Sequence, residues 1–194
     1  GVWDIKSVRS KAKLIAEKRR TQSDLHIAAI FPIVVLKGSE LPPGSKGRKY
    51  KGRIVFMGNL VRDTYGDVAL FQETASNPAS SEAAKLVVAH GLLDGHVTEQ
   101  ADALQAYVQA KLDGEETWIS IPEEFWEESW RKSGEFTKEN PPCCRLVYAL
   151  YGHPEAGRYW EKHAERRIYA AGFQKIGVNW RSMYYHPVLK VMMM

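Results

Sequence analysis

The stretch HVTEQADALQAYVQA, residues 96–110, decides how the chain is read. His96 to Ala101 is expected to form a short strand, Asp102 follows it directly, and Ala103 to Ala110 continue as a turn that becomes helical or extended. A carboxylate at the end of a sheet strand is a good ligand for Mg²⁺, a hard cation that takes oxygen donors. The plainer reading of Asp102 is a residue that ends a strand and opens a turn. Tyr107 comes five residues later, behind the small side chain of Ala106.

Upstream of this stretch, Ile27 to Lys37 is apolar and β-branched and predicts a strand. Gly38 to Gly47 is rich in Gly, Pro and Ser and predicts a loop, after which Lys49 to Met57 alternates as a second strand. The pair predicts a hairpin with a basic end: Lys46, Arg48, Lys49, Lys51 and Arg53. Its glycines do not match G-x-x-x-x-G-K-[ST], which excludes a P-loop. Ile5 to Arg20 predicts a basic amphipathic helix, with Ile5, Val8, Ala12 and Ile15 on one face, and residues 1–25 are expected to be an N-terminal extension. Asn77-Pro78 predicts the start of a helix running to about His90, with Ala79, Ala83, Leu86, Val87 and His90 sharing a face.

Downstream, Thr117 to Ile121 predicts a strand stopped by Pro122, and Glu123 to Glu139 an acidic, aromatic surface segment. Cys144 to Ala149 predicts a strand. Glu155 to Ala171 predicts a helix with Trp160, Ala164, Ile168 and Ala171 inward, and Val188 to Met194 the start of a buried strand. Mixed strands and helices without strict alternation predict an α+β fold, an antiparallel sheet with helices packed on one face.

The 194 residues are 44% apolar and 26% charged, which allows a packed core and excludes a disordered or collagenous chain. The longest apolar run, Ile27 to Leu36, is too short to span a bilayer and contains Pro32, so no membrane partner is expected. No signal-peptide pattern opens the chain. Its start at Gly1 and stop at Met194 lead us to expect a fragment. Cys143 and Cys144 are adjacent, a poor geometry for bridging each other and too few for a four-ligand zinc site. They read as free thiols in a reducing compartment, hence an intracellular chain of cytoplasm or nucleus. His26, His90, His96, His153, His163 and His186 form no H-E-x-x-H or H-x-H pattern.

Charge is segregated along the chain. Gly1 to Tyr65 carries 14 Lys and Arg against 5 Asp and Glu, net +9. Gly66 to Asn140 carries 5 against 15, net −10, and Pro141 to Met194 carries 8 against 3, net +5. Basic flanks suit a polyanion such as nucleic acid. A solvated charged surface is the competing explanation.

Several blocks, in order, resemble the reverse transcriptases of copia-type retrotransposons. Gln100 to Ala110 resembles "L-D-V-K-T-A-F-L-N-G", and Arg48-Lys49-Tyr50-Lys51-Gly52-Arg53-Ile54-Val55 resembles "R-Y-K-A-R-L-V". Gln72-Glu73-Thr74 with Asn77-Pro78-Ala79 resembles "E-T-F-A-P-V", and Thr117-Trp118-Ile119 with Ile121-Pro122 resembles "E-V-Y-M-E-Q-P". Cys144-Arg145-Leu146 and Ala149-Leu150-Tyr151-Gly152 resemble "C-R-L-K-K-A-L-Y-G-L-K-Q-A-P-R-A-W", and Arg158, Trp160 and Gly172-Phe173 continue the similarity. It covers about Ile27 to Met194, and the order of the blocks makes it specific.

The resemblance implies part of a fingers-and-palm polymerase fold over residues 26–194. It implies an RNA-directed DNA polymerase, with an RNA or DNA primer–template and a dNTP as partners and Mg²⁺ or Mn²⁺ as cofactor of the full-length enzyme. Asp102 would be the first catalytic, metal-binding carboxylate. Tyr107 would favour deoxynucleotides by bulk against a 2′-hydroxyl. Lys51 and Arg53 would contact the triphosphate, where cations stabilise developing phosphate charge. Tyr151, Gly152 and His153 would lie near the nucleotide, Lys46, Arg48 and Lys49 would contact nucleic acid, and Arg158 and Trp160 would fix the following helix against the sheet.

The departures matter as much. The family's other two metal-binding aspartates sit in a "Y-V-D-D" turn after the strand that begins near Val188, and the sequence ends before such a turn. Pro154 replaces a usual Lys and Gly157 a usual Pro, and neither a thumb nor a ribonuclease H domain is expected within these 194 residues. Two metal ions need several carboxylates to hold them, so this chain alone is expected to be inactive and to bind no metal tightly. The competing readings are a non-catalytic nucleic-acid-binding remnant of a decayed or domesticated element, and a product with no retained activity.

Overall fold

The basic opening segment is a strand before it is a helix. In the computed structural model, which describes residues 1–71 and 78–194, Trp3–Ser10 forms strand β1 and only Lys11–Arg20 forms helix α1. The helix expected from Ile5 thus begins six residues late. The reason is non-local: β1 pairs antiparallel with β5 (Pro142–Leu146), which satisfies its backbone through a partner that local periodicity does not reveal. The register shifts between Asp4 and Arg9. There Ser7 Oγ accepts from the Arg145 amide at 2.9 Å and donates to the Asp4 carbonyl, filling the gap a bulge leaves in the ladder.

The expected hairpin forms. Strands β2 (His26–Lys37) and β3 (Lys49–Phe56) pair antiparallel from Ile30↔Phe56 to Lys37↔Lys49. The inner half of β2 is buried, whereas Phe31 to Val35 project into solvent. Pro32 lies beyond the last pairing with β4, where β2 has a neighbour on one side only, the edge context in which a strand tolerates proline.

Strand β4 (Thr117–Ser120) pairs parallel with β2 and antiparallel with β5, giving a five-stranded sheet in the order β1-β5-β4-β2-β3. The sheet is therefore mixed, which corrects the expected antiparallel one. The fold is α+β, with four α-helices among the described residues. His96–Ala101, expected as a strand, has no regular structure. Helix α2 spans Ser81–Gly91 and is capped by Ser80, whose side chain accepts from the Ala83 amide; only Ala83 of its expected apolar face is buried. The expectations for Gln72, Glu73, Thr74 and Asn77 lie outside the described residues.

Alternation along the strands builds two cores. Ala28, Ile119, Cys144 and Leu146 face one side, with Ile30, Phe56 and Leu150. Ile27, Trp118 and Cys143 face the other, beneath Leu14 of α1 and Leu25. On that second side Lys18 Nζ and the Trp118 indole both reach Glu116, each at 2.7 Å. Burial pushes the Glu116 carboxyl up, but these two donors outweigh it and hold it below the ordinary carboxylate value.

The acidic segment contains the short helix α3 (Glu128–Ser133). Helix α4 spans Ala156–Ala170, buries Ala156 and Tyr159, and leaves Trp160 half-buried, so the expected inward face is displaced. After it, β6 (Gln174–Lys175), β7 (Tyr184–His186) and β8 (Val191–Met193) form a separate antiparallel sheet in sequence order. Glu165 joins α4 to that sheet by accepting from Lys175 Nζ at 2.8 Å and the Tyr184 hydroxyl at 3.2 Å. The strand expected from Val188 is shorter, and Val188 and Leu189 are exposed.

The adjacent cysteines occupy opposite faces of β5 and lie in different cores, both fully buried. Burial pushes each thiol up to about 12. A thiol reagent at neutral pH is expected to leave both unmodified in the folded chain and to titrate both at once in denaturant. Rapid labelling of either under native conditions would contradict this packing.

Candidate functional site

Chain segments that are far apart in sequence converge on one cleft of about 690 Å³. The hairpin contributes Lys51 and Arg53, the irregular segment Asp102 and Tyr107, the turn after β5 Leu150 and Tyr151, α4 contributes Trp160, and β1 and the residue before it contribute Trp3 and Val2. Five of the residues singled out from sequence therefore share one cavity: Lys51, Arg53, Asp102, Tyr107 and Tyr151.

Each wall has a local cause. On β3, alternation sends Lys51 and Arg53 to the same face. Asp102 and Tyr107 are presented by a tight turn in which Gln105 takes a left-handed φ of 51° and Ala106–Gln109 forms a 3₁₀ turn. Gln109 Nε2 donates to the Leu104 carbonyl at 2.7 Å and closes that turn. A non-glycine residue in this backbone region is uncommon and costs on the order of 1 kcal/mol, so its neighbours must hold it there. Below it, Ala110 is tied to Ala149 by a 2.8 Å backbone bond.

The two tyrosines meet edge to face, with ring centroids 4.9 Å apart at 65°. The Arg53 guanidinium lies over Tyr151, 5.5 Å from its centroid. These contacts link hairpin, turn and irregular segment through side chains that are only half-buried or exposed. The cleft thus offers two cations, one carboxylate and a paired aromatic floor.

Asp102 is exposed and makes no ion pair with either cation among the described residues. Among the described residues it is the sole acid lining this cleft, and Asp94 and Asp113 are not in the lining. Among the described residues no group of three or more His, Cys, Asp or Glu side chains could hold a metal ion. A pair of magnesium ions needs several shared carboxylates, so this donor set does not fit one.

The other expected site residues lie elsewhere. Lys46 and Lys49 are exposed on the outer part of the hairpin, and Arg48 donates to the Leu41 carbonyl at 2.9 Å, holding the loop. Gly152 and His153 do not line the cleft. Gly152 has a φ of 86° and lies so close to the Phe56 carbonyl that a Cβ has no room. His153 is buried among Phe56, Phe71 and Tyr159. Arg158 is held by Glu155 at 2.6 Å beside a second cavity of about 520 Å³, lined also by His26, Phe71 and Glu115. Val2, Trp3 and the cleft-facing position of Trp160 are not legible in the sequence, because the pattern of β1 fits a helix and that of Trp160 fits a core position.

No protein-family model, no curated protein and no solved structure matches this chain.

His153 accepts from the Glu155 amide through Nδ1, which puts its proton on Nε2, a buried donor without a partner among the described residues. Burial, aided by nearby His26 and Arg158, pushes its pKa down to about 4. The unfolded chain therefore takes up a proton here near pH 6.5 that the folded chain refuses. Stability from this group is complete above about pH 6.5 and is lost as pH falls toward about 4, by roughly 3 kcal/mol at most. Burial lowers His26 as well, in the same direction. Urea unfolding at about pH 7 and about pH 4.5 should show a smaller acid loss in His153→Leu than in the parent, and an equal loss would remove His153 from the account. Separately, Gly152→Ala should destabilise by about 3 kcal/mol through strain and overpacking; an unchanged urea midpoint would mean that the chain yields at this contact.

Proposed function

We propose that this chain is the fingers and upper palm of a copia-type RNA-directed DNA polymerase, that its cleft receives the incoming deoxynucleoside triphosphate, and that the chain by itself does not polymerise. The observation that carries this reading is the meeting of Lys51, Arg53, Asp102, Tyr107 and Tyr151 in one cavity, from segments up to a hundred residues apart. These are residues that the family resemblance singles out. Surface charges without a common ligand have no reason to converge on a paired aromatic floor.

In this reading Lys51 and Arg53 bind the phosphates as fixed cations on a rigid ribbon. Tyr107, braced by Tyr151, stands against the sugar and disfavours a 2′-hydroxyl by bulk. Asp102 is the one carboxylate lining the cleft among the described residues. No further acid for metal-assisted phosphoryl transfer lines it among them, so in this reading the chain's own part is to bind and orient. The exposed Lys46 and Lys49 extend the basic ribbon toward a primer–template.

The isolation of Asp102 also favours the second reading, a remnant that binds nucleic acid without catalysis. An x-x-D-D turn encoded after an apolar strand downstream of Met194 would support the polymerase, and its absence the remnant or a product with no retained activity.

Binding of a primer–template duplex should weaken steeply with salt, and Lys51→Ala and Arg53→Ala should each flatten the log K against log salt slope by about one unit. A slope that neither variant changes would exclude both residues from phosphate contact. Primer extension by the chain alone with Mg²⁺ or Mn²⁺ should stay at background. Strong extension abolished by Asp102→Asn would prove that the site is complete after all.

A further inference from the structure

The cleft lining contains two chemically different sets of side chains. One is cationic, Lys51 and Arg53, and the other is apolar and aromatic, Val2, Trp3, Val108, Leu150 and Trp160. Phosphate binding accounts for the first set only. In the second, Trp3 of β1 and Val2 before it come from the N-terminal segment, for which the family resemblance gives no role.

Trp3 is placed there by the sheet. It stands opposite Leu146 across the β1–β5 ladder and so shares Leu146's face, packing at the rim of the core that also contains Ile30 and Leu150. The Val2 carbonyl next to it accepts from both Val147 at 2.9 Å and Tyr148 at 3.1 Å, which pins the start of the strand. Trp3 is half-buried, and its indole N–H donates no hydrogen bond among the described residues. A pinned, partly open indole is a pre-organised surface for a planar ring, and base–aromatic stacking is indifferent to which base is presented.

We propose that Trp3 is a base-stacking wall of this cleft, so that the N-terminal strand completes a site for a nucleoside phosphate: base against the indole, phosphates against Lys51 and Arg53. This rests on the reading of the cleft as a nucleotide site. It predicts that base and phosphate binding separate by mutation, because they use different side chains.

The test is calorimetric titration of the full chain and its variants with dATP and, separately, with inorganic tripolyphosphate. Trp3→Leu, which keeps apolar bulk at the core rim, should weaken dATP by about tenfold and leave tripolyphosphate unchanged. Trp3→Phe, which keeps an aromatic face, should stay within about threefold of the parent for both ligands. If Trp3→Leu binds dATP as tightly as the parent, the stacking wall is wrong while the nucleotide site stands. If Trp3→Leu loses both ligands equally, the residue is structural and the inference also falls. If the parent binds neither ligand, the nucleotide reading fails, and this inference with it.

Discussion

The close approach of the hairpin base to the turn after β5 is the contact on which the cleft depends. The Phe56 amide donates to the Tyr151 carbonyl at 2.7 Å. Beside it Gly152 leaves no space for a side chain against the Phe56 carbonyl, and Gly58 leaves none against the Gly152 carbonyl. The backbones can meet this closely only because Gly152 and Gly58 carry no Cβ, and the positive φ of Gly152 adds a second reason for glycine. This contact fixes where the end of β3 sits relative to Tyr151, and therefore sets Arg53 over the Tyr151 ring. Gly152 thus serves the cleft through the backbone it brings together, although it does not line it.

The same contact explains why His153 is inside. The turn that carries Tyr151 toward the cleft continues into α4, and the next side chain but one must point back beneath it, among Phe56, Phe71 and Tyr159. An imidazole there remains neutral and holds an N–H with no partner among the described residues, a cost that an apolar residue would avoid. The neighbouring Glu155 is well used by contrast, taking Arg158 on one oxygen and the Tyr159 hydroxyl on the other. Tyr151, Gly152 and His153 are consecutive in sequence but face three different environments: the cleft, a backbone crossing and the core.

Local signals are strong where the structure is local. The alternation of Lys49 to Met57 and the Gly and Pro content of Gly38 to Gly47 define a hairpin without tertiary information, and Thr117 to Ile121 is a strand by its β-branched and aromatic residues. The two cysteines follow from strand alternation once β5 is known. Partners distant in the chain are not legible. Ile5 and Val8 fit a helical face, but the open ladder of β5 captures them as a strand. The parallel pairing of β2 with β4 joins His26 to Thr117 across a long excursion and leaves no trace in either segment. Sequence pattern puts Asp102 at the end of a strand; it stands instead on an irregular segment near a left-handed Gln105 and lines the cleft with Lys51 and Arg53, the segment being anchored at its far end by the tie between Ala110 and Ala149. The candidate site is legible in five of its side chains and hidden in Val2 and Trp3, whose contribution exists only through β1.

Charge on the hairpin has two physical reasons that must be separated. Strand β3 is an edge of the five-stranded sheet, and the outer hairpin exposes Phe31, Ile33, Val34 and Val35. Such an edge invites pairing with another chain, and lysines along it oppose that by repulsion and by the cost of desolvating them. Lys49, the first residue of β3, fits this role. Lys51 and Arg53 differ in their company: they share a cavity with Asp102 and with two tyrosines already in contact, and Arg53 covers one of those rings. Edge protection alone gives no reason for this company, since both side chains stay exposed and would oppose pairing as well from any outward position. Two like charges brought to one cleft favour an anion that joins them, and Asp102, the one carboxylate lining the cleft among the described residues, pairs with neither and leaves their charge available to it.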